Sequence, residues 1–214
     1  MKMIGINGSP RKEWNTAILL RKALDGAASQ GADTEIFHLY EWNYRGCISC
    51  FACKTKNGRS YGMCAVKDDL RSILKKVADA DAVVLGAPIY FGTVTGEMRS
   101  FMERWLFPYL TYTDPPGTLF PRKIRTGFIY TMNASEEMAA ERGYDKYVKA
   151  TGTTMERIFG SAEALCSYDT LQFDDYSKYV APRFDPLKKA KRRTEVFPHD
   201  CEEAFAMGAR LGRP

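Results

Sequence analysis

Short apolar runs alternate with amphipathic stretches along the chain, and this alternation predicts a β-α-β-α order of elements. Strands are predicted at 2–6, 34–39, 81–87, 124–131 and 162–167. The third run reads DAVVLGA and is nearly all apolar, as expected of a parallel strand that is covered on both faces.

The stretches between the strands carry apolar residues three and four positions apart, which places these residues on one face of a helix. The repeat occupies positions 16, 19, 20, 23, 24 and 27, then 70, 73, 74 and 77, then 98, 101, 102, 105 and 106. Two further helices are predicted over 145–159 and 199–211. Gly31 suits a C-terminal cap of the first helix, and Asp68 or Asp69 can cap the second.

This order of elements predicts an α/β fold with a doubly wound, five-stranded parallel sheet and helices on both faces. The flavodoxin-like strand order 2-1-3-4-5 fits the count, and ligands in such folds bind at the carboxyl ends of strands one and three. We expect one domain over 1–180, with a cysteine-rich loop at 47–64. A basic segment and a helix over 181–214 would pack on the same domain or on a neighbouring subunit.

Composition narrows the class of protein. The chain has 214 residues, of which 45% are hydrophobic and 27% charged, and no apolar run approaches the ~18 residues of a membrane span. The N-terminus enters a strand at once, so we expect no signal peptide, a cytoplasmic location and reduced cysteines. Much of the net charge of +5 lies in the run 188–193, which is typical of a solvated or mobile segment; the alternative is a docking patch for an acidic protein partner. No nucleic-acid-binding motif accompanies it, and no nucleic-acid or membrane partner is expected.

The first strand opens into the loop NGSPRKEWNT, and a helix follows directly. The first N–H groups of a helix lack internal partners and carry partial positive charge, so such a turn suits an anion. Ser9, Asn15 and Thr16 add side-chain donors, and Arg11 adds a fixed positive charge. The loop matches neither the nucleoside triphosphate nor the dinucleotide motif, which leaves a terminal monophosphate, with FMN as the leading candidate. The alternative is an ordinary turn whose residues only cap the helix.

A second loop of suitable chemistry follows the third strand and reads GAPIYFGTVTG. Pro88 stiffens it, Tyr90 and Phe91 offer aromatic surface beside Ile89, and Gly92 allows close approach of the backbone. A flat, partly polar ring needs these features. The alternative is an aromatic plug that closes the end of the sheet.

The cysteines form a C-x-x-C-x-x-C cluster, Cys47, Cys50 and Cys53, and ten residues separate Cys53 from Cys64. Ferredoxins hold three corners of a [4Fe–4S] cluster with this local pattern, and Cys64 could supply the fourth ligand. Another metal, or free redox-sensitive thiols, remain alternatives.

Motifs of hydrolytic and metalloprotease chemistry are missing from the sequence. The two histidines, His38 and His199, and the pair Asp174–Asp175 are interpreted as structural, as are Cys166 and Cys201. Chemistry carried by cofactors is therefore favoured, with the protein positioning and tuning them.

Taken together, these motifs resemble those of a known family. GSPRK with NT, the cysteine cluster followed by KDD, the loop PIYFGTVTG and the stretch YDTLQFDDY at 168–176 occur together in the NAD(P)H-dependent FMN reductase family, and the combination is most similar to its iron–sulfur flavoprotein branch. The resemblance extends to about residue 179.

This resemblance implies a flavodoxin-like fold, FMN, NAD(P)H as a co-substrate, and a homodimer or homotetramer. By position, Ser9, Arg11, Asn15 and Thr16 would hold the phosphate, Pro88, Ile89, Tyr90, Phe91 and Gly92 would meet the isoalloxazine, and Cys47, Cys50, Cys53 and Cys64 would ligate a [4Fe–4S] cluster. The loop at 131–134 has none of the glycines expected beside a flavin ring, so it is left outside the predicted site.

We therefore expect an FMN-dependent oxidoreductase that passes electrons between NAD(P)H or reduced ferredoxin and a small-molecule or protein acceptor. One alternative is an FMN or quinone reductase without a cluster, which an anaerobic visible spectrum distinguishes. Another is a non-catalytic binding module of the same fold, which predicts no bound flavin and no NAD(P)H oxidation when FMN is supplied.

Overall fold

All five predicted strands are present in the computed structural model, which describes residues 1–213. The strands are β1 (Lys2–Asn7), β2 (Asp33–His38), β3 (Ala82–Tyr90), β4 (Thr93–Val94), β5 (Arg125–Thr131) and β6 (Glu163–Ser167). Five of them lie parallel in the order β2-β1-β3-β5-β6, and β4 pairs antiparallel with the end of β3. The flavodoxin-like α/β class is confirmed, with one short strand more than the sequence predicts.

Strand β4 exists because the chain folds back tightly after β3. The two turn residues, Phe91 and Gly92, have φ of +51° and +85°, the conformation that two-residue hairpins require. A two-residue strand carries no periodic pattern, so the sequence does not reveal it.

The helices are α1 (Asn15–Ala28), α2 (Leu70–Asp79), α3 (Gly96–Leu106), α4 (Glu136–Glu141), α5 (Tyr144–Phe159), α6 (Pro186–Glu195) and α7 (Phe197–Leu211). None of the helices formed by residues 1–213 has the length and apolar character needed to cross a lipid bilayer. Asp69 stands at the N-cap of α2, but its carboxylate accepts the backbone N–H of Asn43 at 3.0 Å instead of capping the helix.

Alternate residues of the central strands face two separate cores. Ile4 and Ile6 belong to the core that α2, α3 and α5 cover, whereas Met3 belongs to the core under α1 and α7. Helices α1 and α7 lie in backbone contact, because a Cβ atom on Gly208 would stand 1.7 Å from the carbonyl oxygen of Ala23.

The basic run at 188–193 lies in helix α6, so its interpretation as a solvated segment is wrong for three of its residues. Asp185 caps the helix by accepting the N–H of Leu187 at 2.9 Å. Lys189 is only 4% exposed, and Arg192 and Arg193 also face the protein. Their partners come from loops distant in the sequence, which a local charge pattern cannot indicate.

Candidate functional site

A cavity of about 300 Å³ opens at the carboxyl ends of the central strands. Its walls are formed by Ser9, Arg11, Trp14, Asn15, Thr16, Pro88, Ile89, Tyr90, Phe91, Thr131, Met132, Asn133, Thr170, Leu171 and Gln172. Eight of the nine residues predicted from the sequence for a flavin site are therefore brought together. Gly92 does not line the cavity and serves the hairpin turn instead.

Hydrogen bonds within the loop after β1 fix its conformation. The side-chain oxygen of Asn7 accepts the backbone N–H of Ser9 at 3.0 Å, and the hydroxyl of Ser9 accepts the N–H of Arg11 at 3.2 Å. The carbonyl of Gly8 accepts the Thr95 hydroxyl at 2.7 Å. A glycine is required at position 8, because a Cβ there would stand 2.7 Å from the Cβ of Met98. The loop is thus tied to the start of α3 before any ligand binds.

Helix α1 begins at the cavity without a side-chain cap. Its N-cap residue is Trp14, and no side chain among the described residues caps the first turn. Asn15 is committed elsewhere, since its amide donates to the carbonyl of Leu171 at 2.8 Å and its oxygen accepts from Arg193 at 2.9 Å. The capping interpretation of Asn15 therefore does not describe this turn, whose N–H groups are available to an anion.

Charge at the cavity favours an anion. Among the described residues, Arg11 is the only charged one in its walls, and its guanidinium donates one hydrogen bond, to the carbonyl of Gln172 at 2.5 Å. A guanidinium has five N–H donors, so it keeps others for a ligand. The Thr16 hydroxyl pairs with the Thr131 hydroxyl at 2.7 Å and is nearly buried.

Aromatic residues of the second loop form the open side of the cavity. Pro88 and Ile89 are half-buried, whereas Tyr90 is 45% exposed and Phe91 is fully exposed. The left-handed turn at Phe91 and Gly92 holds these rings at the rim. Apolar surface left open beside a polar pocket is typical of a site completed by a ligand or a partner chain.

Sequence reasoning missed the far wall, which consists of the loops after β5 and β6. Asn133 donates to the side chain of Gln172 at 2.5 Å, and Thr170 donates its backbone N–H to Met132 at 2.9 Å. Trp14 Nε1 donates to the Leu171 carbonyl at 3.0 Å. The loop at 131–134 is left out of the predicted site because it lacks glycines, but the position of this loop at the end of a central parallel strand was a signal for including it.

His38 supports the first loop from outside the cavity. The Asn7 amide contacts His38 Nδ1 at 2.8 Å, which requires a neutral ring with an acceptor at that nitrogen. Burial lowers the pKa of His38 and keeps the ring neutral. His38 is thus structural for the site, as the sequence predicts.

The four predicted cysteine ligands line one small cavity of about 20 Å³ beside α3. Cys47 and Cys50 are exposed, Cys64 is half-buried and Cys53 is buried. Burial raises the pKa of the Cys53 thiol. The left-handed residues Ser49 and Phe51 curl the loop around this cavity.

Buried Arg104 forms the positive side of the cysteine cavity. Its Nε donates to the sulfur of Cys64 at 3.3 Å, and its guanidinium forms a two-point ion pair with Asp68. Within residues 1–213, no three metal-ligand side chains converge closely enough to hold an ion. The thiols fit an iron–sulfur cluster in number and chemistry, and ligation requires the loop to draw them closer.

The remaining polar residues of interest have structural roles. Asp175 caps a short turn by accepting the N–H of Ser177 at 3.0 Å and pairs with Lys178 at 3.4 Å. His199 is exposed beside Glu202. Cys166 and Cys201 pack against the two cores.

Comparison with known proteins gives a family match. The family model of NADPH-dependent FMN reductase matches residues 1–124. An iron-sulfur flavoprotein of Methanocaldococcus jannaschii is 43% identical over 104 residues, which are 49% of this chain and 51% of the relative. An iron-sulfur flavoprotein of Archaeoglobus fulgidus is 39% identical over 49% of this chain and 48% of its own length. The chain thus spans about half the length of the curated relatives it matches.

Solved structures share the fold along the whole chain. An NAD(P)H:quinone oxidoreductase from Methanothermobacter marburgensis superimposes with a TM-score of 0.70 at 14% identity, covering 99% of this chain and 98% of its own. An FMN-dependent NADH-azoreductase from Bacillus anthracis, solved with FMN, gives 0.65 at 14% identity, with both chains fully covered. At such identity the likeness shows the fold alone.

Proposed function

The chain belongs to the NADPH-dependent FMN reductase family, and we propose that it is an FMN-dependent oxidoreductase. It would take electrons from NAD(P)H or reduced ferredoxin and pass them to a small-molecule or protein acceptor. The observation that carries the proposal is the cavity itself, in which an uncapped helix N-terminus and aromatic rims lie at the carboxyl ends of β1 and β3.

The phosphate of FMN would bind at the first loop. Arg11 supplies a positive charge, Ser9 supplies a hydroxyl, and the uncapped first turn of α1 supplies N–H groups. Asn15 and Thr16 would act chiefly by fixing the turn, because their side chains already bond to Leu171, Arg193 and Thr131.

The isoalloxazine would lie between the second loop and the far wall. Pro88, Ile89 and Tyr90 offer one apolar boundary, and the side chain of Asn133 offers polar atoms opposite. Gly92 would keep the turn that positions these residues. Once bound, FMN supplies the redox chemistry, exchanging electrons in pairs or singly. The protein orients the ring and limits the access of water.

Cys47, Cys50, Cys53 and Cys64 would hold a [4Fe–4S] cluster. Support comes from their common cavity and from the Arg104 guanidinium, which stabilises negative charge on sulfur. The names of the relatives point the same way. A flavin and a cluster together would connect a two-electron donor to a one-electron acceptor, or the reverse.

We also propose a homodimer or homotetramer as the working form. The rim residue Phe91 is fully exposed, and Tyr90 beside it is 45% exposed. A neighbouring subunit that covers them would complete the walls of the flavin cavity.

Anaerobic purification with cofactor analysis of one sample tests the proposal. We expect about one FMN per chain, with iron and acid-labile sulfide each near four, and FMN-dependent oxidation of NADH or NADPH. Flavin without iron would indicate a reductase that has no cluster. Absence of flavin, together with no NAD(P)H oxidation after FMN is supplied, would contradict the enzyme and leave a binding module.

A further inference from the structure

A second, larger cavity of about 730 Å³ adjoins the cysteine cavity and shares Cys64, Ala65, Arg104 and Pro108 with it. We call it the basic cavity, because Arg59, Lys67, Arg71 and Lys75 stand in its walls. Its floor is apolar and includes Leu74. A volume of this size is typical of sites for cofactor-sized molecules.

The four cations of the basic cavity are not neutralised by the protein. Within residues 1–213 none of them makes an ion pair or a side-chain hydrogen bond. A fifth cation in the wall, Arg104, is already committed to Asp68. Asp79 is the only acidic residue of the walls. The cavity therefore presents a concentrated positive field.

Arg71 and Lys75 place two exposed like charges on one face of α2. They stand four residues apart on α2, where like charges repel. Arg71 also lies in the first turn of the helix, where the helix dipole disfavours a cation. Asp79, four residues after Lys75, offsets part of this repulsion, and a bound anion would offset more of it.

We propose that the basic cavity binds a small organic molecule that carries two or more phosphate groups next to an apolar body. Arginine and lysine are suited to phosphate, and several unpaired cations suit more than one of them. The apolar floor near Leu74 would take the uncharged part of the ligand. This site is separate from the flavin cavity and shares no lining residue with it.

Calorimetric titration with two probes, adenosine 5′-triphosphate and inorganic tripolyphosphate, tests the site. The anaerobically purified protein is used with saturating FMN, so that the cysteine loop is in its working state, and the titration is repeated with Arg11→Ala, so that the first loop does not contribute. We expect both probes to bind, and the nucleotide to bind more tightly. Lys67→Gln combined with Arg71→Gln should weaken binding about tenfold or more, as the loss of charged hydrogen bonds does.

The matched control combines Lys188→Gln with Lys191→Gln on the exposed side of α6, which removes the same net charge. It should change affinity less than about twofold. Lys75→Gln serves as a second variant if the first pair does not fold. The site would be overturned if neither probe bound, or if the control variant weakened binding as much as the test variant. Equal affinity for the two probes would overturn the proposal that the ligand has an organic part. Flavin fluorescence of the same variants measures FMN binding, and it therefore tests the proposed function independently of the basic cavity.

Discussion

Arg11 is the residue on which the proposed phosphate site depends most directly, since it is the only charged side chain in the cavity walls. Arg11→Ala should weaken FMN binding by about 1.5–3 kcal/mol, the contribution of a charged hydrogen bond to phosphate. Fluorescence titration with FMN measures it. Arg157→Ala, on the exposed side of α5, is the control and should leave the affinity unchanged. An unchanged affinity in Arg11→Ala would refute the role of this residue.

His38 makes the first loop sensitive to pH. Burial lowers the pKa of His38 in the folded protein. Its contribution to stability is therefore complete above the unfolded value of about 6.5 and is lost as the pH falls through the lower, folded value. Protonation also removes the acceptor for the Asn7 amide. We expect stability and FMN affinity to fall together as the medium becomes acidic.

His38→Gln separates this effect from other titrations. A glutamine oxygen can accept from Asn7 at every pH, so the variant should lose less affinity on acidification than the wild type. The phosphate of FMN titrates near pH 6 itself, so the measured quantity is the difference between the two proteins from about pH 7.5 to about pH 5.5. Parallel curves would show that His38 does not control the loop.

Cys50 is one of the four proposed cluster ligands, and replacing it tests whether the cluster is present. Cys50→Ser should remove the broad brown absorbance of the anaerobic protein and leave the yellow flavin bands, because it deletes one proposed ligand. Cys201→Ser is the control, because Cys201 packs against the core under α1 and α7. It should change neither the brown absorbance nor the flavin bands. If Cys50→Ser kept both the brown and the yellow absorbance, this thiol would not be a ligand.

Helix α6 shows how one element can hold several loops of a site. Lys189 donates to the side chain of Asn133 in the loop after β5 and to Asp169 in the loop after β6. Asp169 has a φ of +49°, so its backbone is strained and depends on such contacts. Arg193 of the same helix donates to Asn15 at the start of α1. The helix thus connects three walls of the proposed flavin cavity.

Lys189→Met should disturb both stability and binding. It leaves Asn133 and Asp169 without their donor, and we expect a loss of about 1–3 kcal/mol in the free energy of unfolding. The loss stays moderate because the Asp169 side chain is 41% exposed and remains hydrated. FMN affinity should fall as well. Denaturation and FMN titration measure the two effects, and values equal to those of Lys188→Met would contradict the role.

The elements, and the meeting of the loops after β1 and β3, could be predicted from the sequence, whereas individual side-chain contacts between distant loops could not. Apolar periodicity placed α1 and β3 correctly, because each buries its own local pattern. It gave no sign of the partners of Lys189, which lie 20 and 56 positions away. The far wall of the cavity was missed for another reason, because the loop after β5 lacks the glycines expected beside a flavin ring.

For the molecule as a whole, the contact between α1 and α7 joins the C-terminal part of the chain to the site. A Cβ atom on Gly208 would stand 1.7 Å from the Ala23 carbonyl oxygen, so Gly208→Ala should push the helices apart. We expect a loss of more than about 2 kcal/mol in the free energy of unfolding. Gly152→Ala in α5 has open space around the new methyl group and should stabilise by about 0.5–1 kcal/mol. Equal stability of the two variants in chemical denaturation would contradict this contact.

A crystal structure of the protein soaked with FMN is the most direct test of where the flavin binds. The phosphate should appear at the first turn of α1, near Ser9 and Arg11, and the ring should lie between Tyr90 and Asn133. An empty cavity in crystals grown with saturating FMN, or a flavin bound anywhere else on the surface, would contradict the assignment of this cavity.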